Sequence, residues 1–88
     1  MDPVFTHDEK QRLFIVELEG RQGTIHYSEP GDGVLDFQST YIPSDIRRKG
    51  LGTQLVRYAL RWASDHHAKV IPSCWFVRAV IDQDKKSQ

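Results

Sequence analysis

The sequence predicts a single α+β domain with a mixed antiparallel and parallel sheet, its elements in the order β-β-β-α-β-α. Three short segments rich in β-forming residues precede one long segment with helical spacing. A further apolar segment follows that helix, and a strand-helix-strand connection joins parallel strands in a right-handed sense. A chain of 88 residues has room for one domain, which we assign to residues 1–88.

The first two strands are predicted from apolar runs on either side of a glycine-containing turn. Residues 12–18 are rich in β-forming side chains, and the two glycines within 19–23 are typical of a hairpin turn. Residues 24–28 form the return strand, because Ile25 and Tyr27 alternate with polar side chains. These two strands are expected to pair antiparallel.

A third strand is predicted over residues 34–42. The Glu-Pro-Gly-Asp-Gly run before it indicates a turn, since glycine accepts positive φ and proline presets a turn φ. Alternation with period two then places four residues on one face, namely Leu35, Phe37, Ser39 and Tyr41. Pro43 ends the strand because it has no N–H to donate to a ladder.

The remaining elements are a helix, a strand and a second helix. Residues 51–67 carry apolar side chains at helical spacing: Leu51, Leu55, Val56, Ala59, Trp62 and Ala63. Residues 69–72 are typical of a short buried parallel strand, and residues 74–82 predict the final helix. The polar residues 83–88 are expected to fray as a tail, so the core is expected to span about residues 12–82.

Composition excludes several classes of protein. One cysteine cannot form a disulfide framework within the chain, and no apolar run approaches the ~18 residues of a membrane span. The first nine residues lack the basic and apolar regions of a signal peptide. A cytoplasmic protein without a membrane partner is therefore expected. No metal is expected either, since His66, His67 and Cys74 lack an evident fourth ligand.

The net charge of zero conceals two halves of opposite sign. Residues 1–46 carry three basic against nine acidic side chains, whereas residues 47–88 carry nine basic against three acidic. A coat for nucleic acid would make the whole domain basic, so no nucleic-acid partner is expected. A local site for a small anion suits this distribution better.

The predicted anion site lies where the long helix begins. The first amides of a helix have no helical acceptor, the helix dipole adds positive charge there, and glycines let a ligand approach the backbone. These features suit a phosphate or pyrophosphate, although a basic loop that only caps the helix is the alternative. The segment comprises Arg47, Arg48, Lys49, Gly50, Leu51, Gly52 and Thr53.

This loop resembles the pyrophosphate loop of the GNAT acetyltransferases, Arg/Gln-x-x-Gly-x-Gly/Ala, which Arg47, Gly50 and Gly52 match. The chain resembles more closely the small YjdJ-type GNAT-like domains, in which Thr-x-Val-Pro precedes the loop and Pro-x-Cys-x-Phe-Val follows the helix. Residues 40–43 are Thr-Tyr-Ile-Pro, and residues 72–77 are Pro-Ser-Cys-Trp-Phe-Val. The loop alone is a weak motif, but the loop with both flanking elements is specific.

The resemblance implies a minimal GNAT-like fold and acetyl-CoA-dependent N-acetyltransferase activity on an amine acceptor, either a small molecule or a protein. It implies that the loop amides from Arg48 to Thr53 hold the pyrophosphate, while Tyr41 and Ile42 bind the pantetheine arm. It also places Cys74 near the thioester, where it would act as nucleophile or proton donor. A buried thiol that only fills space is the alternative.

Two features leave a different function open. The family often has His where this chain has Ser39, and His26 on the neighbouring strand is a candidate substitute. The chain is also short for an acceptor pocket, which a partner protein would then have to complete. A non-catalytic sensor or interaction module that binds CoA or acyl-CoA is therefore the alternative function.

Overall fold

The computed structural model describes residues 2–86 and contains one five-stranded mixed sheet in the order β1-β2-β3-β4-β5. The strands are β1 (Val4–Asp8), β2 (Leu13–Leu18), β3 (Arg21–Ser28), β4 (Val34–Tyr41) and β5 (Lys69–Pro72). The helices are α1 (Ser44–Arg47), α2 (Leu51–Asp65) and α3 (Trp75–Lys86). The first four strands pair antiparallel, and β4 pairs with β5 in parallel. The predicted α+β class and mixed sheet are confirmed.

The structure adds two elements to the predicted order, β1 and the one-turn helix α1. Strand β1 lies at the sheet edge and pairs with β2 from Val4 opposite Glu17 to Asp8 opposite Leu13. Its five residues include only two apolar side chains, Val4 and Phe5, so it has no apolar alternation of its own. Strand β1 therefore depends on the ladder that β2 offers, which a local pattern does not reveal.

One core lies between the sheet and the helices. Alternate residues of β2, β3 and β4 are buried on one sheet face, and the predicted apolar stripe of α2 packs against them. The helix stripe is confirmed, with Trp62 half-buried at its edge. The largest fully buried side chains are Phe14, Phe37, Ile25, Leu55, Val16, Val56 and Val77. None of the helices within residues 2–86 is long and apolar enough to cross a membrane.

A β-bulge corrects the predicted facing of β4. Ser39 lies opposite His26, but Phe37 lies opposite the next residue, Tyr27, so Gln38 is an extra residue in the ladder. One extra residue reverses the alternation beyond it. Ser39 and the following Tyr41 are therefore exposed, instead of sharing the buried face of Phe37 as predicted.

The C-terminal helix is longer than predicted. Helix α3 continues through Lys86, so residues 83–86 are helical and not a fraying tail; residues 87–88 lie outside the described part of the chain. Its third turn is tied to α2, because Arg57 Nη2 donates to Asp84 Oδ1 at 2.8 Å and Arg57 Nε donates to Asp84 Oδ2 at 3.3 Å. This bidentate pair is a tertiary contact between residues far apart in the sequence.

Candidate functional site

A cleft opens where β4 and β5 separate. The parallel pairing runs from Val34 opposite Lys69 to Phe37 opposite Pro72, where β5 ends, while β4 continues to Tyr41. The cleft has a volume of about 430 Å³. Its lining residues come from β4 and the residue after it, from α1, and from the β5–α3 connection with the start of α3: Gln38, Ser39, Thr40, Ile42, Arg47, Ser73, Cys74, Trp75 and Phe76.

The separation of the strands leaves part of the β4 backbone without a neighbouring strand. The last link is the N–H of Cys74, which donates to the carbonyl of Phe37 at 2.8 Å. Beyond Phe37, the β4 edge on the β5 side faces the cleft, and no other strand within residues 2–86 pairs with it. Such an edge presents hydrogen-bonding groups to a ligand with amides of its own.

Cys74 lies in the wall of this cleft and is buried. Its carbonyl accepts from the N–H of Arg78 at 3.1 Å, so Cys74 is the residue that caps the N-terminus of α3. Its Sγ lies 3.4 Å from the Oγ1 of Thr40. A sulfur at the N-terminal end of a helix experiences the positive end of the helix dipole, which favours negative charge there.

The loop before α2 forms a tight turn in which glycine is needed at one position. The amides of Lys49 and Gly50 donate to the carbonyls of Ile46 and Arg47, at 3.1 and 3.0 Å. Gly50 has φ of +76° and open space around it, so its role is to adopt the left-handed conformation.

The amides of the loop therefore differ in what they can bind. The N–H of Arg48 faces the carbonyl of Ser44 at 3.4 Å, and Lys49 and Gly50 donate within the turn. The first helical hydrogen bond of α2 runs from Gln54 to Gly50, at 3.2 Å. The amides of residues 51–53 precede it and are the ones left for an anion. The sequence predicted that the amides from Arg48 to Thr53 bind the anion, and these hydrogen bonds leave only the last three of them available.

Gly52 has a packing role in addition to the one predicted. A Cβ at this position would lie 3.1 Å from Cζ of Phe76 and 3.4 Å from Cγ1 of Ile42. Gly52 is buried, so its missing side chain makes room for α3 against α2.

The positive charge of the loop is only partly neutralised by the protein itself. Lys49 Nζ lies 3.8 Å from a carboxylate oxygen of Glu19, an exposed pair. Neither Arg47 nor Arg48 forms an ion pair with a carboxylate of residues 2–86. Arg57, the other arginine considered for a phosphate, is held by Asp84. One unpaired guanidinium group, that of Arg47, thus lines the cleft, and Arg48 follows it in the loop.

Three of the ten predicted site residues line this cleft, namely Ile42, Arg47 and Cys74. Ile42 lines it, whereas the Tyr41 side chain is 65% exposed and does not line it. Ser39 lines the cleft, and His26 lies opposite Ser39 on β3 and is exposed. Trp75 lies at the cleft edge with 77% of its surface exposed.

Sequence reasoning missed Thr40 as a site residue. Alternation from Phe37 would turn Thr40 away from the core, and only the bulge turns it toward Cys74. The Thr of the Thr-x-Val-Pro element was the available signal. No group of three or more His, Cys, Asp or Glu side chains within residues 2–86 is arranged to hold a metal ion.

Comparison with known proteins identifies the family to which this chain belongs. The family model described as GCN5-related N-acetyl-transferase matches residues 12–88, so the chain belongs to that family. The resemblance to small GNAT domains is thereby confirmed.

The sequence identity to individual relatives is below 30% for the proteins named below. The chain is similar to Protein NATD1 of Gallus gallus, with 27% identity over 84 residues, 93% of this chain and 76% of that protein. Protein NATD1 of Homo sapiens is 26% identical, over 93% of this chain and 74% of that protein. Streptothricin acetyltransferase A of Bacillus subtilis (strain 168) is 29% identical over 68 residues, 76% of this chain but 39% of that protein.

Proposed function

We propose that this chain binds acetyl-CoA in the β4–β5 cleft and transfers its acetyl group to an amine. The observation that carries the proposal is that a single cleft joins an unpaired arginine, Arg47, to the thiol of Cys74. Membership of an N-acetyltransferase family supports acetyl transfer as the class of reaction.

The cleft and the adjacent loop would hold three parts of acetyl-CoA, namely the pyrophosphate, the pantetheine arm and the thioester. The amides of residues 51–53, with Arg47 and Arg48, would hold the pyrophosphate at the positive end of α2. The backbone of β4 from Gln38 to Ile42 would hydrogen-bond the amides of the pantetheine arm. Acetyl-CoA itself supplies an activated acetyl group as a thioester. Cys74 would then lie beside the reacting carbon.

Cys74 would act as the proton donor of the reaction. The amine nitrogen attacks the thioester carbon, and the C–S bond breaks with its electron pair on the CoA sulfur. The Cys74 thiol donates its proton to that sulfur, and the thiolate then takes a proton from the acylated nitrogen. The sum is an amide and CoA thiol with no net change at Cys74, which general acid–base catalysis requires.

Titration with acetyl-CoA, followed by amide NMR shifts, tests the proposed binding. We expect saturable shifts confined to residues 38–53 and 73–76, with a dissociation constant on the order of micromolar. Residues of β1 serve as an internal control and should not shift. Absence of any shift at millimolar acetyl-CoA would overturn the proposal.

Cys74→Ala tests the proposed chemistry separately from binding. We expect the variant to bind acetyl-CoA as tightly as the parent chain but to lose about 100-fold in turnover with a panel of amines. Full turnover by Cys74→Ala would show that the thiol only fills space.

A second candidate function is a non-catalytic module that binds acyl-CoA. The cleft lining contains neither a histidine nor a carboxylate, and Ser39 stands where the family often has His. Saturable binding with no acetyl transfer to any amine in the panel would favour this function over the enzyme.

A further inference from the structure

We propose that Thr40 positions the Cys74 thiol and stabilises its thiolate during acetyl transfer. This inference rests on the proposed function and adds a second residue to its chemistry. The two residues belong to segments that are 34 positions apart, and the fold brings Thr40 Oγ1 within 3.4 Å of Cys74 Sγ.

The bulge in β4 is what turns Thr40 to this side. Thr40 lies opposite the buried Ile25 of β3, whereas Ser39 and Tyr41 on either side of it are exposed. Without the extra residue Gln38, the alternation that buries Phe37 would turn Thr40 to the opposite face. The bulge therefore re-aims one hydroxyl into the cleft at the level of the sulfur.

Cys74 is held from the backbone as well as from the side chain. Its N–H donates to Phe37 and its carbonyl accepts from Arg78, so its Cα is fixed between β4 and α3. The remaining freedom is rotation of the side chain about the Cα–Cβ bond. The hydrogen bond between Thr40 Oγ1 and Sγ selects one rotamer of this side chain.

The hydroxyl also has a chemical role when the thiol loses its proton. Cys74 gives its proton to the departing CoA sulfur and becomes a thiolate until it takes one from the acylated nitrogen. During that interval the Thr40 hydroxyl donates a hydrogen bond to a charged acceptor, which is stronger than a bond to a neutral thiol. Thr40 does not exchange its own proton, so the atom balance of the reaction is unchanged.

Because Cys74 is the one cysteine of the chain, its reactivity can be measured without interference. The test uses iodoacetamide as the probe and follows the alkylation rate against pH in the parent chain, Thr40→Val and Thr40→Ser. Thr40→Val should raise the pH midpoint of alkylation by roughly one unit and lower turnover about tenfold. Thr40→Ser keeps a hydroxyl. It should return the pH midpoint to about the parent value and restore turnover to within about twofold.

Thr24→Val is the matched control. Thr24 lies on β3, opposite Tyr41, and is half-buried like Thr40, but it has no contact with Cys74. It should leave both measurements unchanged. Thr40→Ala also removes the hydroxyl and replaces Thr40→Val if circular dichroism shows that Thr40→Val is unfolded.

The outcomes separate the two proposals. A parent chain that binds and turns over acetyl-CoA, with Thr40→Val matching it in turnover and in the alkylation profile, would overturn the role of Thr40 alone. A parent chain that shows no acetyl-CoA binding would overturn the proposed function, and the role of Thr40 in transfer with it.

Discussion

The two ends of the sheet differ in the environment of their polar side chains. At the β1 end, Tyr27 OH lies 2.6 Å from His7 Nε2, and His7 stacks on Phe14 with ring centroids 4.0 Å apart. Trp62 of α2 meets His7 edge-on at 4.4 Å. At the β5 end, hydroxyl groups and the Cys74 thiol line an open cleft.

The β1 end pairs polar groups within the protein, whereas the β5 end leaves such groups exposed in the cleft. Burial raises the pKa of Tyr27 to about 12, so the phenol stays protonated and shares a hydrogen bond with His7 Nε2. The Tyr27 hydroxyl and His7 Nε2 thus find their partners within the protein. In the cleft, Arg47 has no carboxylate partner within residues 2–86 and the Trp75 side chain is mostly exposed, so both remain available to a bound molecule.

The largest effect should come from removing the centre of the aromatic cluster. Phe14 is fully buried and touches rings of three strands and α2. Phe14→Ala should lower the free energy of unfolding by about 3–5 kcal/mol, measured by urea denaturation. Trp75→Ala, which truncates the exposed aromatic ring at the cleft, should change it by less than about 0.5 kcal/mol. Equal losses in the two variants would remove the distinction between the ends.

A smaller loss is expected where α2 and α3 meet. Gly52→Leu places a side chain against Phe76, where even a Cβ is only 3.1 Å away. Overpacking of this kind costs about 1–3 kcal/mol of stability in the same denaturation assay. Gly31→Leu is the control, because a Cβ there meets only Val34 at 4.0 Å. If Gly52→Leu kept full stability and lost only acetyl-CoA binding, the predicted role in ligand approach would be restored.

The free energy of unfolding should also depend on pH, through His7 at the β1 end of the sheet. Burial lowers the pKa of His7 below its ordinary value of 6.5, with a further lowering from His66 and opposing effects of Glu9, Asp8 and Glu29. The unfolded chain therefore binds a proton at higher pH than the folded chain. The contribution of His7 is complete above pH 6.5 and is lost as pH falls through its folded pKa.

Variants of two histidines test this pH dependence. His7→Phe should flatten the decline in the free energy of unfolding below pH 6.5, whereas His26→Phe, at an exposed position, should leave it in place. An unchanged decline in His7→Phe would assign the pH dependence to other groups.

The smallest effect is expected at the loop. Glu19 lies 3.8 Å from Lys49 and competes with an anion for it. Glu19→Gln should tighten acetyl-CoA binding about twofold in a calorimetric titration at low salt, and this gain should fall at higher ionic strength. Glu29→Gln removes a comparable exposed pair, with Arg12, and should leave the affinity unchanged. A looser complex with Glu19→Gln would show that Glu19 orders the loop instead of competing for it.

Local patterns were sufficient for much of the fold, and they led to the proposed site. The stripe of α2, the alternation of β3 and the turn before β4 depend on residues that are neighbours in the chain. The basic and glycine-containing loop, with Cys74 downstream of it, indicated the cleft for the same reason.

Other features needed contacts between distant segments. Asp84, in the part of helix α3 beyond Asp82, pairs with Arg57 of α2. A Cβ at Gly52 would crowd Phe76, a residue of another helix. Neither partner can be identified from spacing along the chain.

The sequence by itself therefore determined the class of fold, the long helix and the family resemblance, since each follows from periodicity or a short motif. Only the tertiary structure decided the pairing of β1, the packing role of Gly52 and the direction of Thr40. The physical reason is that a strand's facing depends on its register with its neighbour. One extra residue, Gln38, reverses that facing and brings a hydroxyl to Cys74.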